Sequence, residues 1–183
     1  ENSLVVPDNA IAASVFERML FERDGQNELK QFLRARKGCT NFIDLGASGG
    51  FFSAIFSATA RRPSTILSVE CDPPSIQVLS ETKKLNSSTH IEWSVAPFAI
   101  SDSKTEIQIL STGYGGLLQP PASDKHLEMA LPCAGYYRAE TITLAELAKR
   151  FQFSPDFIKC DIEGYEWEVF ASSRDFLETM RPR

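Results

Sequence analysis

A glycine-rich turn between a predicted strand and a predicted helix constrains the fold of this chain more than any other feature. Residues 41–45 (NFIDL) are typical of a short buried strand, residues 51–61 are typical of a helix, and DLGASGG at 44–50 joins them. Gly46 permits a tight turn. Small residues follow it, namely Ala47, Ser48 and Gly50. They let the backbone approach a ligand closely. Many nucleotide-binding proteins carry such a turn, and a tight turn with nothing bound is the alternative.

The alternation of strand and helix continues along the chain. Further strands are predicted at residues 65–70, 90–95, 104–110, 127–133 and 157–161, and further helices at 74–86, 143–151 and 164–172. In the helix at 74–86, Ile76, Leu79 and Leu85 are expected to face the core. Residues 98–101 are expected to continue the path of the third strand beyond Pro97, and residues 111–126 are predicted to be a loop. Strands and helices at this spacing indicate parallel crossovers. We therefore predict an α/β fold with an open, mostly parallel, Rossmann-like sheet.

Two helices are predicted before the first strand. One begins at a cap residue, Asp8, and carries an apolar stripe, and the other follows Gly25. We predict that residues 1–38 form a helical segment that packs on the core, and that residues 39–183 form the ligand-binding domain.

Composition and charge exclude several classes of protein. The chain has 183 residues with a net charge of −5, which suits one globular domain and offers no basic face for nucleic acid. No apolar run approaches the ~20 residues that a membrane span requires, and the four cysteines form no C-x-x-C pair that would indicate a zinc site. We expect a reduced, cytoplasmic protein with a small-molecule substrate.

Two carboxylates flank the glycine-rich turn. Glu70 ends the second predicted strand, where a carboxylate can accept both hydroxyls of a ribose, and Asp44 stands directly before the turn. A carboxylate this close would repel the pyrophosphate of a dinucleotide but attract a sulfonium and an ammonium group. This contrast favours S-adenosylmethionine over NAD. We place Cys71, next to Glu70, with the residues that contact the cofactor.

A second acidic group follows the last predicted core strand. Asp161 closes that strand, and Glu163 and Glu166 follow near a helix start. Carboxylates at a helix N-terminus also have a purely structural explanation, because they interact favourably with the helix dipole. However, three carboxylates within six residues repel one another unless a cation or ligand relieves them, and ligands of open parallel sheets bind at this edge. We therefore expect all three to belong to the site.

Several of these segments together resemble the FkbM-type family of S-adenosylmethionine-dependent methyltransferases. They are DLGASGG, SVECDP, AISD at 99–102, ETITLAEL and above all IKCDIEGYEWEVF, whose D-x-E-G-x-E signature is the most specific part. The resemblance covers residues 40–182. It implies a class I methyltransferase domain that binds S-adenosylmethionine. It also implies O-methylation of hydroxyls on sugars, glycolipids or polyketide-type metabolites, without a required metal.

The resemblance also implies roles for single residues. Asp44, Gly46 and Gly50 would shape the pocket for the methionine part of the cofactor, and Glu70 would hold its ribose. The remaining assignments put Ser101 and Asp102 near the adenine, and Asp161, Glu163 and Glu166 against the methyl group and substrate. This chain has Ser48 where the family usually has asparagine, and we expect the turn to keep its geometry.

Asp161 is the first candidate for a base that takes the proton of the attacking hydroxyl, and Glu163 is the second. Two alternatives stay open: an NAD-type oxidoreductase fragment, and a non-catalytic methyltransferase-like module that binds a protein partner. The sheet of such enzymes continues beyond the helix that follows the acidic signature, so we expect C-terminal strands beyond Arg183 to be missing.

Overall fold

The computed structural model describes residues 4–111, 116–117 and 135–183. The predicted loop at 111–126 lies outside the described residues except at positions 111, 116 and 117, and the predicted strand at 127–133 lies wholly outside them.

Eight strands form two sheets in the described part of the chain. They are β1 (Asn41–Leu45), β2 (Ser64–Val69), β3 (Ile91–Ala96), β4 (Ala99–Ile100), β5 (Glu106–Ser111), β6 (Gly116–Leu117), β7 (Gly135–Ile142) and β8 (Phe157–Cys160). The main sheet has the order β3-β2-β1-β8, and all of its strand pairs are parallel. The predicted α/β fold with an open, mostly parallel sheet is confirmed.

The second sheet is smaller and mixed. Its order is β4-β7-β5-β6, with β4 and β7 parallel and β5 antiparallel to both of its neighbours. After Pro97 the chain therefore pairs with β7, and the expectation that residues 98–101 continue along the third strand is wrong. β7 was not predicted from the sequence, although every second residue near its start faces inward.

Seven helices surround these sheets in the described ranges. They are α1 (Ala10–Phe21), α2 (Arg23–Ala35), α3 (Phe51–Thr59), α4 (Pro73–Asn86), α5 (Leu144–Arg150), α6 (Glu166–Ser172) and α7 (Arg174–Met180). α5 begins where predicted, because Thr143 and Glu146 form a reciprocal capping box. α7 was not predicted, and none of the helices is long and apolar enough to span a bilayer.

The two central strands of the main sheet, β1 and β2, bury both faces, as expected for parallel strands covered by helices. Phe42, Ile66 and Phe157 belong to one core cluster, together with α1 to α4. The alternate residues Ile43 and Leu67 belong to the other cluster, together with α5 and α6. This double burial fixes the strand register and with it the edge where the strands end.

Two local predictions for helices α1 and α4 are wrong. The carbonyl of Asn9 accepts from the amide of Ala13, so Asn9 rather than Asp8 caps α1. On α4, Leu85 was expected to face the core, but it is 46% exposed. The buried face of α4 carries Val78 and Leu79, and Leu85 lies six residues beyond Leu79, on another face of the helix.

Beyond α7 the chain returns to the main sheet. The amide of Arg183 donates to the carbonyl of Asp156, and the amide of Ile158 donates to the carbonyl of Arg183, both at 3.0 Å. These bonds place Arg183 beside β8.

Candidate functional site

Three loops meet where strands of the main sheet end. Leu45, the last residue of β1, is in register with Val69 of β2 and Cys160 of β8. The loops that follow these strands therefore begin side by side. Backbone bonds join them, since the amides of Gly46 and Asp161 donate to the carbonyls of Val69 and Leu45, each at 3.0 Å. In open α/β sheets this is the edge that binds ligands.

A cavity of about 340 Å³ opens among these loops. Its polar wall comes from the three loops and the end of β8, and consists of Gly46, Ala47, Ser48, Glu70, Cys71, Lys159, Asp161, Glu163 and Tyr165. Most of the remaining wall is aromatic and aliphatic, and includes Phe51, Phe52, Phe98, Ile100 and Ile109. Concave, mostly apolar cavities with a few convergent polar groups are typical of small-molecule sites.

Gly46 stands where no side chain fits. Its φ is +70°, and a Cβ at this position would lie 1.9 Å from the carbonyl oxygen of Asp161. The glycine therefore allows the turn after β1 to lie against the loop after β8.

The rest of the turn is also held in unusual conformations. Ser48 has a φ of +48°, in the left-handed region that L-residues seldom occupy. Gly50 precedes α3 with a φ of +86°, and a Cβ there would lie 2.7 Å from Leu79 Cδ1. Gly50 is absent from the cavity wall, so its effect on the site is through the shape of the turn.

Glu70 lies in the cavity wall and is only 6% exposed. Its Oε2 accepts from the amide of Ser48 at 2.8 Å, and its Oε1 accepts from the amides of Cys71 and Asp72 at 2.8 and 2.9 Å. Burial raises the pKa of Glu70, and these three amides oppose that shift. Because a carboxylate offers about four lone-pair sites, three bonds leave about one, on Oε2, for a ligand hydroxyl.

Cys71 also lines the cavity. Burial, reinforced by the charges of Glu70 and Asp72, raises the pKa of its thiol to about 12. The side chain is therefore a neutral, weakly polar part of the wall.

Asp44 lies beneath the turn rather than in the cavity wall. It is 1% exposed, and its Oδ2 accepts from the hydroxyl of Ser53 at 2.7 Å. The Ser53 hydroxyl also bonds Ser68, which accepts from the indole N–H of Trp93. Burial raises the pKa of Asp44, and the charge of Lys159 is the largest opposing effect.

Lys159 links this buried carboxylate to the cavity. Its Nζ lies 3.8 Å from Asp44 Oδ1 and 3.4 Å from Asp161 Oδ2, and 5.0 Å from the centre of the Phe52 ring. Its side chain is only 14% exposed. It is a cation of the cavity wall that sequence reasoning did not select.

Two of the three carboxylates after β8 line the cavity. They are Asp161, whose side chain is 51% exposed, and Glu163, which has a φ of +58°. Glu163 thus occupies the left-handed region without being glycine, a conformation that is uncommon and concentrates at functional loops.

Glu166 lies outside the cavity wall and shapes the loop. Its Oε1 accepts from the amides of Ile162 and Gly164, at 2.9 and 3.2 Å. These bonds, that of Ile162 first, lower the pKa of Glu166. Of the three predicted carboxylates, Asp161 and Glu163 therefore line the cavity, whereas Glu166 stabilises the loop that carries them.

Ser101 and Asp102 follow β4 and lie beside the cavity rather than in its wall. Asp102 Oδ1 accepts from the Ser101 hydroxyl at 3.1 Å and from the Tyr165 hydroxyl at 3.3 Å. Since Tyr165 lines the cavity, this pair reaches it through that ring. The neighbouring wall residues are Ala99 and Ile100.

The first helix contributes a side of the cavity that sequence reasoning missed. Ser14 and Arg18 of α1 line it, beside Val15 and Met19 of the predicted apolar stripe. Glu28 of α2 lies close enough to the charged residues of the cavity wall to interact with them. Burial raises its pKa most, and the nearby charges of Lys159 and Asp161 act on it next, in opposite directions. The helical spacing of Ser14 and Arg18 was visible in the sequence, but the docking of α1 over the turn was not.

Comparisons with known proteins agree with this architecture. Residues 24–183 match the family described as methyltransferase FkbM domain. No curated protein matches the chain. The crystal structure of a methyltransferase FkbM from Methylobacillus flagellatus KT is similar with a TM-score of 0.54 at 16% identity. That similarity covers 78% of this chain and 31% of the other, so this chain spans about a third of its neighbour, and at this identity the likeness concerns the fold.

Proposed function

The chain belongs to the methyltransferase FkbM domain family, and from this premise we propose that it is an S-adenosylmethionine-dependent O-methyltransferase. Its acceptor would be a hydroxyl of a small molecule, of the sugar, glycolipid or polyketide type that the resemblance implies. The observation that carries the proposal is the meeting of the glycine turn, Glu70 and the Asp161–Glu163 loop around one cavity.

The residues present fit this cofactor. When bound, S-adenosylmethionine supplies an activated methyl group on a positively charged sulfur. Asp161 and Glu163 give the cavity wall the negative charge that suits a sulfonium and an ammonium group, and Lys159 and Arg18 offer partners for a carboxylate. Glu70 retains capacity for a ribose hydroxyl on Oε2, because among the described residues only the amide of Ser48 donates to that oxygen.

Asp161 is suited to act as the base for the acceptor hydroxyl. Its carboxylate lies in the cavity wall, and the ammonium of Lys159 at 3.4 Å restricts its orientation. General-base catalysis requires such a carboxylate within hydrogen-bond reach of the proton that it takes. Lys159 would then be a positioning residue, since it acts through Asp161. Glu163 is the second candidate, from the same loop.

The apolar wall has a complementary role. Phe51, Phe52 and Phe98 line the same cavity as the carboxylates. Aromatic side chains exclude water, and holding a nucleophile and its target in line lowers the barrier of a displacement reaction. The chain would thus contribute alignment and water exclusion rather than covalent chemistry.

The two alternatives lead to different binding results. An NAD-type oxidoreductase would have to place a pyrophosphate near Asp161 and Glu163, against like charge. A non-catalytic module would bind a protein and need no cofactor. Calorimetry on the full-length chain with S-adenosylmethionine, S-adenosylhomocysteine and NAD separates them. We expect the first two to bind. Binding of NAD alone, or of none of the three, would contradict the proposal.

Turnover tests the assignment of the base. With a panel of hydroxyl-bearing sugars, glycolipids and polyketide-type compounds, the readout is release of S-adenosylhomocysteine. We expect Asp161→Asn to lower kcat by about 10²- to 10⁴-fold and to lower cofactor affinity by much less. Glu168→Gln, an exposed change outside the cavity, is the matched control. Full activity of Asp161→Asn would show that Asp161 is not the base, and that either Glu163 takes this role or the reaction needs no base.

A further inference from the structure

A second cavity, of about 440 Å³, lies at the opposite edge of the main sheet. Thr40 and Ser64 line it, at the amino ends of β1 and β2, whereas the methyltransferase cavity lies at the carboxyl ends. Five residues of β1 separate the two edges, which corresponds to about 16 Å of extended strand. The second cavity is therefore distinct from the first and has no part in the proposed methyl transfer.

Cations dominate the wall of this second cavity. Arg36 and Lys37 come from the end of α2, and Arg61 and Arg62 follow α3. None of these four side chains forms a salt bridge within the described ranges, where the ion pairs involve Lys104, Arg138 and Lys159 instead. A chain with a net charge of −5 thus gathers four unneutralised cations around one concavity.

Arg36 is the fixed member of this group. It is only 8% exposed, its guanidinium carbon lies 4.6 Å from the centre of the Phe56 ring, and its Nη1 donates to the hydroxyl of Thr59. Its buried Nε has no hydrogen-bond partner within the described residues. Burial lowers the pKa of Arg36, because the charged form loses solvation without gaining a countercharge.

A buried guanidinium without a countercharge is costly, and an anion next to it would offset the cost. Arginine forks match the geometry of phosphate oxygens in particular, and four cations exceed what a single carboxylate would neutralise. The exposed side chains of Lys37, Arg61 and Arg62 are free to close on such a ligand, because the structure gives them no side-chain partner among the described residues. The concave shape favours a compact ligand over an extended anionic surface.

We propose that this second cavity binds the phosphate group of a phosphorylated small molecule. The site would make the chain responsive to a second ligand that never enters the methyltransferase cavity. Its residues are Arg36, Lys37, Arg61 and Arg62, with Arg36 as the preorganised anchor.

The test uses calorimetry on the full-length chain with inorganic phosphate and with pyrophosphate, and with acetate at matched ionic strength. The double variant Arg61→Gln/Arg62→Gln removes two wall cations. The double variant Lys30→Gln/Arg34→Gln removes two exposed cations of α2 that do not line the cavity, and so changes the net charge equally. Both pairs lie outside the methyltransferase cavity, so cofactor affinity reports separately on the proposed function.

We expect phosphate and pyrophosphate to bind and acetate not to bind. The Arg61→Gln/Arg62→Gln variant should bind phosphate at least about tenfold more weakly, and the control variant less than about threefold more weakly. Neither variant should change the affinity for S-adenosylmethionine. Equal weakening by both pairs would show a general charge effect and overturn the site, as would the absence of phosphate binding. Binding to vesicles with phosphatidic acid, without binding to soluble phosphate, would overturn it in favour of a membrane surface.

Discussion

The carbonyl oxygen of Asp161 lies 1.9 Å from the point where Gly46 would carry a Cβ atom. The candidate base and the glycine turn are therefore in direct backbone contact across β1 and β8. Neither loop can shift without the other, so one missing methyl group sets the distance between the turn and the carboxylate.

This contact predicts the effect of Gly46→Ala. Alanine would face the Asp161 carbonyl and adopt a positive φ, which alone costs about 1–2 kcal/mol. We expect a loss of stability clearly above that figure, together with loss of cofactor binding. Gly38→Ala is the matched control, because Gly38 has a φ of +82° but no atom within 4 Å of the added Cβ. Chemical denaturation measures both, and an equal loss in the two variants would disprove the steric argument.

Glu70 offers a second test at the same turn. In Glu70→Gln, an NH₂ group would replace one carboxylate oxygen, and it would face either the amide of Ser48 or the amides of Cys71 and Asp72, which now donate to the carboxylate. A ligand hydroxyl would also lose its charged acceptor, and the loss of one such charge-assisted bond costs about 1–3 kcal/mol, or about 5- to 150-fold in affinity. We expect calorimetry to show that loss for S-adenosylmethionine. Glu81→Gln, exposed on α4, should bind normally, and unchanged affinity of Glu70→Gln would remove Glu70 from the cofactor site.

The parts of the site that the sequence predicted are those with a local signature. Gly46 and Glu70 stand at the ends of strands whose apolar runs mark them, and Asp161 follows a third such strand. Parallel pairing then brings strand ends together without further information. The fold and these three positions follow from patterns that a few consecutive residues define.

The remaining parts depend on long-range packing. Arg18 reaches the cavity only because α1 docks over the turn, and no local pattern encodes that docking. Asp44 looked like a pocket residue, yet the network through Ser53 and Ser68 holds it in the core. Glu166 belongs to the acidic motif, but its bonds to the backbone draw it away from the cavity. The sequence motif identifies the residues that matter to the loop, but it does not predict which side chains face the cavity and which bond the backbone.

The burial of Asp44 predicts a particular pH dependence. A raised pKa means that the folded chain binds this proton more readily than the unfolded chain, so stability falls as pH rises from 3.8, the ordinary value, through the raised pKa. Asp44→Asn removes that dependence. We expect the stability of the parent protein, relative to this variant, to decrease with pH in that window, by at most about 1.4 kcal/mol per pH unit. Denaturation across pH, with the exposed Asp24→Asn as control, measures this difference; a constant difference would contradict it.

Glu166 should show the opposite dependence. Its pKa is lowered below the ordinary 4.5 by amide donors, Ile162 first, so its stabilisation is present above pH 4.5 and is lost as pH falls through the folded value. Because the group is largely solvated, we expect Glu166→Gln to cost only about 0.5–1 kcal/mol at neutral pH. In acid, parent and variant should converge. Glu168→Gln, two residues further along α6 and exposed, should match the parent throughout, and a cost that persists in acid would contradict the assignment.

Ser48 carries a strain that substitution can relieve. Its φ of +48° lies in the left-handed region, where asparagine is several-fold enriched over other residues with a side chain. That enrichment corresponds to about 0.5–1 kcal/mol, so we expect Ser48→Asn to raise the free energy of unfolding by that amount. The amide of residue 48 would still donate to Glu70, and cofactor affinity should therefore be preserved. Ser48→Ala, which keeps the strain and loses the polar side chain, should not be stabilised. If denaturation shows that Ser48→Asn is no more stable than Ser48→Ala, the left-handed conformation of residue 48 does not limit the stability of the protein.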